Sequence, residues 1–180
     1  MVSGAFDYDW AGFRELVGEY ERFLTQAPQQ DLPLFQELAQ SKLARLYYEA
    51  TVMRRVAVDF YSDTGGDEAW AARDEEHNPE YDQWFETWQS HERSLAAYLG
   101  DRNRFFVAGD PSEQECYATS LSDGLADVLS DLQAGAAHFD AGRLPEAMWE
   151  WTFRFDHWGD HALDALKVLH WRVGLGDSVG

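Results

Sequence analysis

Two histidines, one helical turn apart, are the residues of this chain whose types and spacing most directly suggest chemistry. His157 and His161 lie four positions apart in the stretch FRFDHWGDH, residues 153–161. In a helix such side chains share one face, where two imidazoles can bind one zinc or iron ion. The metalloprotease motif HExxH is absent, because Trp158 follows the first histidine. The pair therefore predicts a partial metal site that needs further ligands.

The same histidines belong to a polar stripe on the predicted last helix. At 100° per residue the stripe comprises Glu150, Arg154, His157, His161 and Asp164. On the preceding predicted helix, Asp127 and Asp131 are candidates to complete a divalent-metal shell with the two histidines. With Asp123 they form a run spaced by four, which lies opposite Leu125, Leu129 and Leu132. That placement predicts a solvent-exposed acidic face rather than a metal site.

A structural role is the alternative for the two histidines. In this interpretation His157 and His161 pair with carboxylates and pack against Trp158 and Trp171, and no ion is involved. A catalytic metal site would need at least one more ligand from elsewhere, and the sequence places no other histidine near the pair. Both interpretations remain open on the sequence.

The charge of the chain is strongly acidic. Its 180 residues contain 14 Lys and Arg against 33 Asp and Glu, a formal net charge of −19. The acids concentrate in two blocks, residues 59–92 and 110–164. A field of this sign repels phosphate backbones and anionic lipids, so we expect no nucleic-acid partner and no membrane partner. It attracts cations or a basic protein, although an acidic surface also serves solubility alone.

Other features of the sequence bear on the compartment. The first residues contain no basic stretch followed by an apolar run, and no window has the roughly 18 apolar residues of a membrane span. The chain has a single cysteine, Cys116, which has no second thiol for an internal disulfide or a CxxC site. These features predict a soluble protein of the reducing cytoplasm.

Helical periodicity and cap signals set the expected elements. An apolar stripe predicts a first helix from Phe6 to just before Pro28, and a second is expected from the N-cap Asp31 to about Val58. Residues 67–77 fit either a short helix or an acidic loop. The remaining helices are expected from Asn78-Pro79 to Gly100, from Ser120 to Gly142, and from Pro145 to about Val173.

These elements predict an all-α fold. No segment alternates with period two over more than a few residues, so a sheet is not expected. Between the third and fourth helices, a link is expected to attach to the core through Phe105, Phe106 and Val107. The prediction is an up-and-down bundle of about five long helices in a single domain, residues 1–180, with the last helix central.

Several stretches resemble a known family. They are SLSDGLADVLSDLQAGAAHFDAG, AMWEWTFRFDHWGDHALDALKVLH, LARLYYEA and FFVAGDP. Together they are similar to the bacterial family called domain of unknown function 5063, over most of the chain. The resemblance implies an all-helical bacterial protein and no assigned reaction.

Two functions of different classes follow from these observations. The sequence favours a non-enzymatic protein-interaction module, of the inhibitor, immunity or adaptor type, whose partner is a basic protein. This prediction rests on the charge and on the absence of a complete catalytic set, and it implies no cofactor. The alternative is a helical-bundle hydrolase or sensor that binds a divalent metal through His157 and His161.

Overall fold

Six α-helices and one β-hairpin make up the part of the chain that the computed structural model describes, residues 8–64, 79–108 and 116–175. The helices are α1 (Trp10–Thr25), α2 (Leu32–Thr64), α3 (Pro79–Leu99), α4 (Leu121–Asp140), α5 (Leu144–Phe153) and α6 (Phe155–Leu175). Strands β1 (Arg104–Ala108) and β2 (Cys116–Ser120) connect α3 to α4. Short 3₁₀ turns follow α1 and α3, at Ala27–Gln29 and Gly100–Arg102. None of the described helices combines the length and apolar character needed to cross a membrane.

The predicted helix caps are present where local chemistry requires them. Asp31 accepts a hydrogen bond from the Leu34 amide at 3.0 Å, and Ser120 accepts one from the Asp123 amide at 3.3 Å. Each bond satisfies an amide that has no partner within its own helix. Gly142 has a φ of +75° and follows α4, as a C-terminal glycine should. These predicted boundaries are confirmed, and α2 continues six residues past the predicted end at Val58, to Thr64.

The core is built around α4, which packs against α1, α3, α5 and α6. Helix α2 lies against α6 and α5. The largest fully buried side chains include Trp151, Trp158, Tyr20, Phe13 and Phe35. The predicted all-α bundle is thus confirmed, but the central position belongs to α4 rather than to the last helix. Phe6, residues 67–77 and Asn78 lie outside the described residues, whereas α3 begins at Pro79 as predicted.

The prediction that the chain has no strands was wrong in the link between α3 and α4. Strands β1 and β2 pair antiparallel, with Phe105 opposite Thr119 and Val107 opposite Tyr117. Val107 is buried and Phe106 is 78% exposed, as alternating strand positions require. Each strand has five residues, too few for a period-two pattern to stand out from the surrounding sequence.

Asn103 attaches the hairpin to α4. Its carbonyl accepts the Leu121 amide at 2.7 Å, and its side chain both accepts the Ser122 amide and donates to the Ser122 hydroxyl, each at 2.8 Å. Ser122 in turn donates to Glu92 on α3 at 2.9 Å. Because Asn103 and Ser122 are buried, their bonds hold the base of the hairpin against both helices.

The predicted last helix is divided in two by Arg154. Helix α5 ends at Phe153 and α6 begins at Phe155, so the expectation of one helix from Pro145 to about Val173 was wrong. The Trp151 carbonyl accepts a buried hydrogen bond from the Trp158 indole at 3.2 Å. The indole therefore supplies a partner at a helix end, where backbone carbonyls lack one. Apolar periodicity does not reveal a break of a single residue.

Candidate functional site

A cleft of about 240 Å³ lies beside the hairpin, between β2, α4 and α6. Its lining combines aromatic, hydroxyl, imidazole and carboxylate groups. They belong to Phe105, Tyr117, Thr119, Ser120, Gly124, Asp156, His157, Asp160, His161 and Asp164. The five from α6 recur at helical spacing, so one face of that helix forms a wall of the cleft.

A buried carboxylate orients His157. Asp131, on α4, is 1% exposed, and its Oδ2 lies 2.6 Å from His157 Nδ1. Since a carboxylate only accepts, Nδ1 carries the proton of this bond. The His157 side chain is 57% exposed and lines the cleft. The imidazole is therefore held to α4 through one nitrogen while much of the ring remains exposed.

Arg154 joins two buried acids beneath this pair. It contacts Asp131 Oδ1 through Nη1 at 3.0 Å and Glu150 Oε2 through Nε at 2.7 Å. Burial lowers the pKa of Arg154, but the charges of Glu150 and Asp131 outweigh it and the pKa lies above its ordinary value. His138 Nε2 lies 3.8 Å from Glu150 Oε1. The residue between α5 and α6 is therefore also the cation that the two buried carboxylates share.

The prediction of a solvent-exposed acidic face on α4 was wrong for Asp131. Its carboxylate is buried, and Asp127 is largely covered, with its Oδ2 3.5 Å from His161 Nε2. Burial raises the pKa of Asp127, although His161 partly offsets the effect, and burial also raises the pKa of Asp123. Because α4 is central, the face opposite its leucines meets α6 instead of solvent, which a helical wheel of one helix does not show.

The structure brings most of the predicted site residues together. Glu150, Arg154, His157 and Asp131 form one network, and His161 lies beside Asp127. Asp164 lines the cleft and accepts a bond from Lys167 at 2.8 Å. Across residues 8–64, 79–108 and 116–175, no group of three His, Cys, Asp or Glu side chains could hold a metal ion.

Sequence reasoning did not identify the residues that the hairpin contributes. Phe105, Tyr117 and Thr119 reach the cleft only because β1 and β2 pair, and the sequence carries no clear signal for that pairing. Asp156 was also missed. It lies at the start of α6 and receives a hydrogen bond from Arg54 of α2 at 2.7 Å. Its spacing of four from Asp160 was the available signal.

Replacing Asp127 with asparagine is expected to stabilise the protein at neutral pH. A carboxyl group whose folded pKa is raised binds its proton more tightly in the folded state. Stability is therefore lost as pH rises from the unfolded pKa through the folded one. Asparagine keeps the shape without the desolvated charge, so we expect the Tm to rise by about 1–3 °C at pH 7 and by less at pH 4.

Thermal melts of Asp127→Asn at both pH values measure this effect. The matched control is Asp160→Asn, on an exposed carboxylate of the same cleft, which should change the Tm by less than about 1 °C. A lower Tm for Asp127→Asn at pH 7 would contradict the prediction, because it would mean that attraction to His161 outweighs the cost of burial.

Comparison with known proteins supplies a family and a fold. The model of a family described as a domain of unknown function, DUF5063, matches residues 6–173. The crystal structure of protein BF1032 from Bacteroides fragilis is similar, with a TM-score of 0.64 and 17% sequence identity, over 93% of this chain and 94% of that one. At this identity the likeness shows a shared fold alone. No curated protein matches the chain.

Proposed function

Because the chain belongs to the DUF5063 family, whose description names no reaction, we propose its function from the cleft: a non-enzymatic protein-interaction module, of the inhibitor, immunity or adaptor type, that binds a basic protein. The observation that carries this proposal is the row of acids along α6 at the cleft, Asp156, Asp160 and Asp164. The row belongs to a chain whose net charge is −19. A cleft lined with one sign of charge concentrates the field and speeds the arrival of an oppositely charged partner.

The acids in this row differ in the partners they already have. Asp156 is paired with Arg54 and Asp164 with Lys167, both at 2.7–2.8 Å. Asp160, between them, is exposed and has no cationic partner among the described residues. A lysine or arginine of a partner would find its strongest attraction there, since pairing with Asp160 displaces no existing ion pair.

Aromatic side chains beside the acids supply contact area. Tyr117 is 53% exposed and lines the cleft with the partly buried Phe105, and Phe106 on the outer face of the hairpin is exposed. Aromatic rings contribute strongly to protein interfaces and bind the cationic groups of arginine and lysine. The combination favours a partner whose basic residues are accompanied by apolar ones.

A charge-matched pair of variants tests the proposal. The cleft variant carries Asp156→Asn, Asp160→Asn and Asp164→Asn. The control variant removes the same charge from exposed positions outside the cleft, through Glu15→Gln, Glu37→Gln and Asp101→Asn. Proteins captured by the wild type from its native lysate at low salt are identified, and their association rates with the wild type and both variants are then measured at about 50 and 300 mM salt.

We expect a basic protein whose association slows roughly tenfold with the cleft variant and far less with the control. Salt should slow association with the wild type more than with the cleft variant. Equal decreases in association rate for the two variants would show general charge attraction, and would overturn the assignment of binding to the cleft. If the wild type captured no protein that added salt releases, the proposal would be overturned altogether.

A further inference from the structure

We propose that Arg172 and Arg102 form a binding site for a phosphate group, at the end of the bundle where α6 passes the start of α4. Neither arginine lines the cleft, so the site does not depend on the proposed protein partner. Three observations support it: the buried guanidinium of Arg172, the register of α4 against α6, and the position of the turn that carries Arg102.

One guanidinium nitrogen of Arg172 is buried without a hydrogen-bond partner. Its Nη1 atom is shielded from solvent, and within residues 8–64, 79–108 and 116–175 no carboxylate or other acceptor pairs with this side chain. Buried polar groups in proteins nearly always have a partner, and a charged group without one is costly. Arg172 lies in the last turn of α6, where the helix dipole favours a cation, but the dipole provides no acceptor for a shielded N–H. An acceptor supplied by a ligand would complete this group.

The register of α4 against α6 places Arg172 beyond the start of α4. His157 contacts Asp131 and His161 contacts Asp127, so the two helices run antiparallel and advance together residue by residue. Arg172 lies eleven positions after His161, whereas only six residues of α4 precede Asp127. The end of α6 therefore extends past the start of α4 by about five residues, or roughly 7 Å.

The turn that carries Arg102 lies at this same end of α4. It comprises Gly100–Arg102, and the carbonyl of the next residue, Asn103, accepts the Leu121 amide at the start of α4 at 2.7 Å. Burial lowers the pKa of Arg172, and the positive charge of Arg102 lowers it further, as expected for two cations that lie close together. Arg102 is exposed, so a ligand can reach the pair from solvent.

A phosphate group suits two arginines better than a carboxylate or a halide does. The planar guanidinium presents its N–H groups as a fork, which matches two oxygens of one phosphate. A phosphate monoester carries a charge of about −1.5 to −2 at neutral pH, which two guanidinium groups balance, whereas a carboxylate carries only one charge. Because the chain has a net charge of −19, its field opposes any anion, and we expect a dissociation constant of roughly 0.1–1 mM.

Calorimetric titration with inorganic phosphate at constant ionic strength tests the site. We expect one phosphate per chain, at least tenfold weaker binding to Arg172→Met, and roughly three- to tenfold weaker binding to Arg102→Met. The matched control is Arg45→Met, which removes the same charge from an exposed position on α2 and should bind phosphate as the wild type does. Glycerol 3-phosphate is the second probe. Tighter binding of this monoester than of inorganic phosphate would assign the site to a phosphorylated molecule, and equal binding would assign it to the free ion.

Thermal melts in chloride buffer separate loss of the site from loss of the fold. Removing a buried charge that has no partner relieves its desolvation, so the Tm of Arg172→Met should not lie below that of the wild type. Saturating phosphate should then raise the Tm of the wild type by about 2–4 °C more than that of Arg172→Met. The comparison between variants is needed because phosphate also stabilises proteins through exclusion from their surfaces.

Four results would overturn the proposal. They are absence of phosphate binding to the wild type, equal weakening by Arg172→Met and Arg45→Met, acetate binding as tight as phosphate binding, and a Tm for Arg172→Met clearly below that of the wild type in chloride. The last result would mean that the guanidinium already has a stabilising partner within the chain.

Discussion

Replacing Arg154 with methionine is expected to lower the free energy of unfolding by about 3–5 kcal/mol at neutral pH. Methionine retains most of the apolar stem, so the change isolates the guanidinium. Without it, the buried carboxylates of Asp131 and Glu150 lose the cation that contacts both of them at 2.7–3.0 Å. Breaking a buried ion pair on one side leaves an uncompensated charge, and here it leaves two.

A second arginine in the chain provides the matched control for Arg154→Met. Arg14 binds Asp140 through two hydrogen bonds, at 3.0 and 2.7 Å, but Asp140 is exposed, whereas both acids bound by Arg154 are buried. Exposed pairs of this kind contribute little, so Arg14→Met should cost less than about 1 kcal/mol. Urea denaturation of both variants measures the difference. If both substitutions lowered the free energy of unfolding by similar amounts, the buried network would stabilise the fold no more than a surface pair does.

Truncating Trp151 to alanine is the other change with a large expected effect, about 3–5 kcal/mol. The indole is fully buried, lies edge-on to Phe13 with centroids 5.0 Å apart, and donates a hydrogen bond to the Leu132 carbonyl at 2.9 Å. Gly135 on α4 leaves the space the ring occupies, because a side chain there would collide with it. Truncation leaves a cavity between α1, α4 and α5 and removes the indole's hydrogen bond to α4.

Trp171 provides the comparison for Trp151→Ala. It is the same residue type, but 68% of it is exposed near the end of α6. Trp171→Ala should therefore change the free energy of unfolding by no more than about 0.5 kcal/mol. Denaturation midpoints and slopes for both variants separate a loss of stability from a change in the unfolded state. A decrease in the free energy of unfolding below about 1.5 kcal/mol for Trp151→Ala would contradict the prediction that this ring is central to core packing.

Features encoded over a few residues could be predicted from the sequence. The caps at Asp31 and Ser120 and the turn at Gly142 each depend on a side chain or backbone angle within about four positions. The apolar positions Trp158, Ala162 and Leu169 recur at helical spacing along α6, and all three are fully buried. Helix boundaries and the all-α class follow from such local signals.

The site required information that the sequence does not carry locally. The carboxylate of Asp131 lies opposite leucines on the helical wheel, and only the central position of α4 turns that face toward α6. The hairpin depends on pairing between Phe105 and Thr119, 14 positions apart. At the division beside Arg154, the Trp151 carbonyl accepts a hydrogen bond from the Trp158 indole of the next helix. In each case a tertiary contact determines the outcome.

The break at Arg154 also limits which changes in chain length the protein can accept. A single residue separates α5 from α6, so the rotational phase of one helix relative to the other depends on that spacing. Each residue added or removed there would turn α6 by about 100° relative to α5. Such a turn would move His157 and His161 away from α4 and bring Trp158 out of the core. We therefore expect insertions to be tolerated in the exposed turn at residues 141–143. At position 154, a gain or loss of one residue would disrupt both the core packing of α6 and the cleft.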